Sequence, residues 1–251
     1  MPEEIRLGGR PALRLTPPQA AKDRAILLLH GGAFVFGSPY THRSLAGYLA
    51  RAAGCAVYVP DYRLAPENPA PAALEDSQRA LQALREDFPL ERIVIAGDSA
   101  GGGLSLSLGM ALRDAGEGRV GGHLLFCPWA DLRLQGESIR RNREAEPMLT
   151  RDNLALCAEY YAAGADLADP SLSPVNGDFG GLAPLYIQAA GNDILLDDAR
   201  QIAQRAREAG LPTKIEVFAD MYHVFQATPG LVPEAARAVV MAGAWAKTVC
   251  G

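Results

Sequence analysis

A serine between two glycines is the residue of this chain best suited to act as a nucleophile. Gly97-Asp98-Ser99-Ala100-Gly101 forms a G-x-S-x-G motif that follows the apolar run RIVIA and opens a helical pattern. Small flanking residues permit a sharp strand-to-helix turn, which presents the serine at a helix N-terminus where a developing anion is favoured. A serine that merely caps the helix is the alternative, but the strand–turn–helix context favours a nucleophile.

A serine hydroxyl is a poor nucleophile unless a base takes its proton, and histidine is the common base. The chain has four histidines, His30, His42, His123 and His223. In the fold that this turn suggests, the acid and the histidine follow the serine. His123 begins an apolar strand, which is typical of a structural histidine, whereas His223 lies just past the strand KIEVF at the sheet edge where α/β sites form. We therefore predict that His223 is the base.

An acid that orients the base is expected between Ser99 and His223, again just past a strand. GNDILLDD follows the strand LYIQAA and offers Asp193, Asp197 and Asp198. Asp193 is closest to the strand end and is the predicted acid, although it could instead cap the next helix. Asp197 and Asp198 lie about one turn into that helix, where acidic residues favour the helix dipole without catalysis.

A second glycine-rich segment, His30-Gly31-Gly32-Ala33-Phe34, follows the first strongly apolar strand. Small residues let backbone N–H groups approach a substrate oxygen, so this segment is the expected half of an oxyanion hole. The other half is the N–H of Ala100. A phosphate-binding turn is the alternative, but the segment has neither G-x-G-x-x-G nor a Walker lysine.

The candidate residues follow different strands, so they can meet only in a fold that places the ends of those strands at the same edge of a sheet. Six apolar runs are typical of parallel strands covered on both faces, and they alternate with amphipathic helical patterns. The strands are 25–30, 55–60, 92–97, 123–128, 184–191 and 214–219, and the helical patterns are 41–53, 69–88, 99–114, 194–209 and 231–248. The alternation predicts an α/β protein with a doubly wound, mostly parallel sheet.

Residues 131–183 interrupt the alternation with one helical segment, at about 150–163, inside turn-rich sequence. Fifty irregular residues are too many for a simple connection, so we expect a cap-like insertion within a single domain spanning 1–251. Eight apolar residues in segments near the predicted site are pocket candidates as a set, although each by itself is more typical of the core than of a substrate contact. They are Phe34, Phe36, Trp129, Met148, Leu149, Leu196, Val224 and Phe225.

Composition narrows the class of protein. The 251 residues are 49% hydrophobic and 21% charged, which is a globular balance, and the net charge of −5 without a basic run argues against nucleic acid as a partner. No apolar run approaches the roughly 18 residues of a membrane span, and the start lacks signal-peptide features, so we expect no membrane insertion and a cytoplasmic location.

The four cysteines lack C-x-x-C spacing and are expected to be buried free thiols. The apolar helical segment 231–248 fits either deep burial or a homodimer contact.

Five motifs together resemble one family. HGGAF, DYRLAPE (61–67), GDSAGG (97–102), DILLDD (193–198) and H-x-F (223–225) are similar, in that order, to the hormone-sensitive-lipase family of esterases, bacterial family IV of the α/β-hydrolases. The likeness spans about residues 11–248. It implies an α/β-hydrolase fold with a reduced cap insertion, and a carboxylesterase with Ser99 as nucleophile, Asp193 as acid and His223 as base. It also implies oxyanion donors from Gly32, Ala33 and Ala100, a small-molecule ester substrate with a short to medium acyl chain, and neither metal nor organic cofactor.

Two departures from the family pattern bear on the site. Ala33 replaces the third glycine of HGGG, which is tolerable if its φ stays in the range that L-residues favour. Only about 24 residues precede the strand AILLLH, enough for a short edge hairpin rather than the family's N-terminal cap, so we expect an open site that admits bulky alcohol or lactone groups. The DYRLAPE turn is expected to be structural, with Arg63 paired to Glu67.

The same triad also serves other acyl chemistry, so a lactonase or an amide or formamide hydrolase is an alternative function. A small-molecule receptor that has lost catalysis is a further alternative from a different class. Such receptors typically lack a triad member, whereas Ser, Asp and His are all present here in the expected order.

Overall fold

A computed structural model describes residues 2–250, and an eight-stranded sheet runs through their centre. The strands follow the spatial order β1-β2-β4-β3-β5-β6-β7-β8. Neighbours from β4 to β8 are parallel, while β1 and β2 form an antiparallel hairpin at one edge. The strand bounds are β1 Pro2–Leu7, β2 Arg10–Leu15, β3 Ala21–Leu29, β4 Cys55–Pro60, β5 Ile93–Asp98, β6 Gly122–Phe126, β7 Leu185–Ala190 and β8 Thr213–Phe218.

Helices cover both faces of this sheet, so the predicted doubly wound, mostly parallel architecture is confirmed. The helix bounds are α1 Arg43–Ala53, α2 Ala72–Leu84, α3 Ala100–Asp114, α4 Ser138–Arg141, α5 Arg151–Ala162, α6 Leu196–Glu208 and α7 Pro233–Val249. Helices α1 and α7 share one face, and α2, α3 and α6 lie on the other. Helix α2 is shorter than the predicted 69–88 because Pro69 and Pro71 precede its first turn and it ends at Leu84.

Alternation along the strands explains why the predicted runs are continuously apolar. In β5, Ile93 and Ile95 join the core cluster beneath α2 and α3, whereas Val94 and Ala96 join the cluster beneath α1 and α7. A strand buried on both faces has no place for a polar residue until its end. In β5 that end is Asp98, which lies opposite Phe126 of β6.

Parallel pairing brings the carboxyl ends of β3, β5, β7 and β8 to the same edge of the sheet. All of the predicted catalytic segments follow these four ends. The long connection from β6 to β7, residues 127–184, contains α4 and α5 in the region where an insertion is expected.

Two structural expectations are confirmed away from this edge, the buried free cysteines and the structural role of His123. All four cysteines are free and buried. His123 is fully enclosed with its Nδ1 3.1 Å from the Ser105 hydroxyl, and burial lowers its pKa to about 4, so it is a neutral core residue. Across residues 2–250, the helices fall short of the length and apolar character that crossing a membrane requires.

Candidate active site

Ser99 lies at the turn between β5 and α3, in the strained conformation that the motif predicts. Its φ and ψ are 53° and −123°. A Cβ on Gly97 would lie 2.1 Å from the carbonyl oxygen of Gly101, and one on Gly101 would lie 2.0 Å from that of Leu29, so neither position has room for a side chain. Ser99 occupies the N-cap position of α3 but its hydroxyl makes no capping hydrogen bond. The capping alternative is therefore wrong, and Ser99 is one of the residues that line a pocket.

Free backbone donors lie beside this serine. The N–H groups of Gly32, Ala33 and Ala100 donate to no acceptor within residues 2–250. The φ of Gly32 is +121° and that of Ala33 is +53°. The condition that Ala33 keeps a φ favoured by L-residues is not met, since the left-handed region costs an alanine about 1–2 kcal/mol. The N–H groups of Gly32 and Ala33 are thus available as donors in a segment whose backbone is strained at Ala33.

Asp193 and His223 form a buried hydrogen-bonded pair. Asp193 is the third residue after β7 and His223 the fifth after β8. The Nδ1 atom of His223 lies 2.8 Å from Oδ2 of Asp193, and Oδ1 of Asp193 accepts the N–H of Leu195 at 2.8 Å. The N-cap residue of α6 is Leu195, and its side chain makes no capping hydrogen bond. The helix-cap alternative for Asp193 is therefore wrong, and its contact with Leu195 belongs to the turn that precedes the helix.

The pairing sets the charge preference of His223. Burial acts to lower the pKa of the imidazole, but the Asp193 carboxylate and, more weakly, the Glu146 carboxylate hold that pKa above its ordinary value. Because Nδ1 is engaged with Asp193, Nε2 is the nitrogen left for proton exchange with another group.

A cavity of about 460 Å³ joins Ser99 and His223 with the glycine-rich segment. Of the eight apolar candidates, Phe36, Met148, Leu149 and Val224 line it. The other four are at most 3% exposed and lie in the core: Phe34, Trp129, Leu196 and Phe225. They do not line the cavity, so the prediction that they contact substrate is wrong. Phe34 instead stacks on Tyr161 of α5, with ring centroids 3.8 Å apart. Further lining comes from Thr41, His42, Asn153, Leu154 and Cys157.

Comparison with known proteins finds the same architecture in esterases. Residues 26–227 match the model of a family described by the α/β-hydrolase fold. The chain is 42% identical over 235 residues to an acetyl-hydrolase from Streptomyces hygroscopicus, covering 93% of this chain and 79% of that protein. It is 33% identical over 238 residues to carboxylesterase NlhH from Mycobacterium tuberculosis, covering 90% and 74%. A solved esterase of the bacterial hormone-sensitive-lipase family superposes with a TM-score of 0.98 at 38% identity, covering all of this chain and 85% of the other.

The chain belongs to the hormone-sensitive-lipase family of α/β-hydrolases. The predicted family, fold and enzyme class, a carboxylic ester hydrolase, are confirmed.

The glycine-rich segment of this esterase is held by residues that the sequence did not single out. Asp98 is buried, and its Oδ1 accepts the N–H of Gly31 at 3.1 Å while its Oδ2 lies 3.2 Å from Nε2 of His42. Burial acts to raise the pKa of Asp98, but His42 and the Gly31 N–H hold it below its ordinary value. The hydroxyl of Tyr62 donates to the carbonyl of His30, and the two rings stack at 4.1 Å. The sequence did contain one signal for this role: Asp98 ends an apolar strand, and a carboxylate buried there needs a hydrogen-bonding or charged partner.

The Asp193–His223 pair of this esterase is held from the β6–β7 connection. The side-chain N–H₂ of Asn142 donates to the carbonyls of Gly191 and Asp193 at 2.9 and 2.7 Å. The Glu146 carboxylate accepts the N–H of His223 at 3.0 Å. Both residues sit in the charged stretch RRNREAEPM, where nothing in the local pattern distinguishes them from solvated residues.

Arg63 and the acidic residues of helix α6 have partners different from those expected. Arg63 pairs with Asp76 at 2.9 Å and Glu75 at 2.8 Å, both in α2, so its expected pairing with Glu67 is wrong. Oδ2 of Asp198 accepts the N–H groups of Ala130 and Asp131 at 2.8 and 2.9 Å. Asp198 thus fixes the start of the β6–β7 connection, and burial raises its pKa to about 7.

The thiol of Cys127 completes the surroundings of the imidazole. The Cys127 thiol, the Asp193 carboxylate and the His223 imidazole have potential metal-ligand atoms that all lie within 4.8 Å of one another. Within residues 2–250, this is the group of such side chains that is close enough together to hold a metal ion. Burial, with a further contribution from Asp193, raises the pKa of Cys127 well above its ordinary value. The Asp193 carboxylate therefore has a protonated thiol beside it.

Proposed function

We propose that this esterase cleaves small carboxylic esters by acyl transfer to Ser99, with His223 as general base and Asp193 as its orienting acid. The observation that carries this proposal is the buried 2.8 Å Asp193–His223 hydrogen bond beside the pocket that His223 shares with Ser99. A histidine whose Nδ1 is fixed by a carboxylate offers Nε2 as the base and is stabilised once protonated.

In the first step, the Ser99 oxygen attacks the acyl carbon while its proton passes to Nε2 of His223. The oxyanion of the tetrahedral intermediate accepts hydrogen bonds from the N–H groups of Gly32, Ala33 and Ala100. What supports these donors is that, within residues 2–250, their N–H groups donate to no acceptor. The ester C–O bond then breaks, and the alcohol leaves with the proton from His223.

In the second step, His223 takes a proton from water, which attacks the acyl-enzyme carbonyl and releases the carboxylic acid. The proton returns to Ser99, so atoms and charge balance over the cycle. Every proton transfer in this scheme uses His223, and no step requires a metal or an organic cofactor.

The pocket supports esters with short to medium acyl chains. Its volume of about 460 Å³ lies at the small end of the range for ligand sites, and Leu149, Leu154 and Val224 supply apolar walls. At the mouth, Phe36 and Met148 are 64% and 55% exposed, which leaves room for a bulky alcohol or lactone ring. Residues 131–183 act in this proposal as a reduced cap on a single domain.

The test is a Ser99→Ala variant assayed with p-nitrophenyl esters of graded acyl length and with a fluorophosphonate probe. We expect loss of labelling and a fall in kcat of about 10⁴-fold or more. Ser44→Ala, an exposed serine on α1, is the matched control and should retain both signals. Labelling of the Ser99→Ala variant at the rate of the unmodified enzyme would refute the nucleophile. An intact enzyme inactive on every ester, lactone and formamide substrate would favour a receptor.

A further inference from the structure

Glu146 is a buried carboxylate whose two oxygens serve two different residues of the pocket. It lies between α4 and α5 and is 6% exposed. Its Oε2 accepts the backbone N–H of His223 at 3.0 Å, and its Oε1 accepts the backbone N–H of Met148 at 2.9 Å. His223 and Met148 both line the cavity. One side chain therefore links the residue proposed as the base to the mouth of the pocket.

The charge of Glu146 lacks an ordinary partner. Within residues 2–250 it forms no ion pair with lysine or arginine, and both of its hydrogen bonds come from neutral backbone groups. Removing a carboxylate from water is unfavourable unless charge or hydrogen bonds offset the loss of hydration. The nearby group that can become positive is the imidazole of His223, whose backbone N–H the carboxylate already holds.

We propose that Glu146 is a positioning residue for His223, and that its negative charge stabilises the imidazolium formed when His223 accepts the Ser99 proton. This inference rests on the proposed function and deepens it. Asp193 fixes the ring through Nδ1, while Glu146 fixes the backbone of the same residue and adds a second negative charge. The base is then held from two sides, by β7 through Asp193 and by the β6–β7 connection through Glu146.

Four charged or titratable groups surround His223 and affect the pKa that a pH profile of kcat/KM would report. They are Asp193 after β7, Glu146 in the β6–β7 connection, Asp98 at the end of β5 and the thiol of Cys127 after β6. The carboxylates raise the pKa of His223 against the effect of burial. Removing the Glu146 charge should therefore lower that pKa, so the acid limb of kcat/KM should move to lower pH.

The test compares Glu146→Gln with the unmodified enzyme over pH 5 to 9, using the activity that Ser99→Ala abolishes. The amide keeps the size of the side chain and one acceptor oxygen but removes the charge. We expect the acid limb to move down by about half to one pH unit and kcat on the plateau to fall by about tenfold. A purely structural role would lower the active fraction without moving the limb.

Two further variants isolate the charge. Glu144→Gln changes the same charge two residues away, where the side chain is 88% exposed and paired with Arg143, and should leave the profile unmoved. Glu146→Asp keeps the charge on a shorter side chain, so kcat should fall while the acid limb stays at the position of the unmodified enzyme. Near-UV circular dichroism follows folding in each case.

An unmoved acid limb in a folded, Ser99-dependent Glu146→Gln enzyme would overturn the role of Glu146 alone. If the glutamine variant does not fold, a displaced limb in Glu146→Asp would overturn it equally. Persistence of activity in Ser99→Ala would instead refute the proposed triad, so the two failures are distinguishable.

Discussion

The two halves of the site are held by different parts of the molecule. The glycine-rich segment at the end of β3 is fixed by Asp98, His42 and Tyr62, which belong to the sheet and its adjoining turns. The Asp193–His223 half is fixed by Asn142 and Glu146 from the β6–β7 connection. The proposed oxyanion donors are therefore positioned by the core, whereas the proposed base depends on a segment outside it.

Backbone strain is common to both halves. Five of the non-glycine residues with a left-handed φ lie at the carboxyl edge of the sheet: Ala33, Phe34, Ser99, Cys127 and Val224. Each such residue costs on the order of 1 kcal/mol or more and persists because its surroundings over-determine it. Both halves thus contain such residues, and they differ in which part of the molecule holds them.

Among variants that separate the two halves, the largest expected effect is on the base half, through its acid Asp193. Asp193→Asn should lower kcat by roughly 10³–10⁴-fold, because the amide no longer stabilises the imidazolium or fixes its tautomer. Asp197→Asn should leave kcat within a few-fold, since Asp197 binds the Ser138 N–H and two arginines on the surface. Steady-state kinetics on a p-nitrophenyl ester ranks the two variants, and the opposite ranking would transfer the acid role to Asp197.

An intermediate effect tests the oxyanion half. Asp98→Asn disturbs the contact with His42 and loosens Gly31, so kcat/KM should fall by roughly 10- to 100-fold. Its acid limb should move less than that of Glu146→Gln, because Asp98 is a weaker influence on His223. Asp152→Asn, an exposed first-turn residue of α5, is the control. An equal or larger displacement in Asp98→Asn would break the division between the two halves.

The smallest expected effect concerns Ala33. Glycine adopts a φ of +53° freely, whereas alanine is strained there, and this relief exceeds the larger conformational entropy that glycine loses on folding. Ala33→Gly should therefore raise stability by about 0.5–1 kcal/mol, or about 1–4 °C in Tm. Activity should change by less than about threefold. Ala163→Gly, at the left-handed C-cap of α5, is a matched control that should gain similar stability without touching the glycine-rich segment. A lower Tm for Ala33→Gly in a thermal melt would contradict this account of the strain.

The apolar residues of the pocket could not be distinguished from core residues by sequence pattern. Leu196 and Phe225 follow strand ends as closely as Val224 does, but only Val224 faces the cavity. An apolar side chain satisfies the core and a ligand pocket equally well, and a one-residue offset on a turn decides between them. No composition or spacing in these segments separates the two outcomes.

By itself, the sequence predicted the strands and long helices of the core and the candidate catalytic positions, because both depend on local patterns; the short helix α4 has no such pattern and was missed. Strand and helix periods act over a few residues, and the G-x-S-x-G turn requires small residues at fixed spacing. Only the tertiary structure decided what holds those positions. The His42–Asp98 and Glu146–His223 contacts join residues 56 and 77 positions apart, and His42 and Glu146 look locally like ordinary polar residues. These contacts form only when the sheet and the β6–β7 connection bring the residues together in the folded protein. There the carboxylates are shielded from water, so each needs a hydrogen-bond donor or an opposite charge.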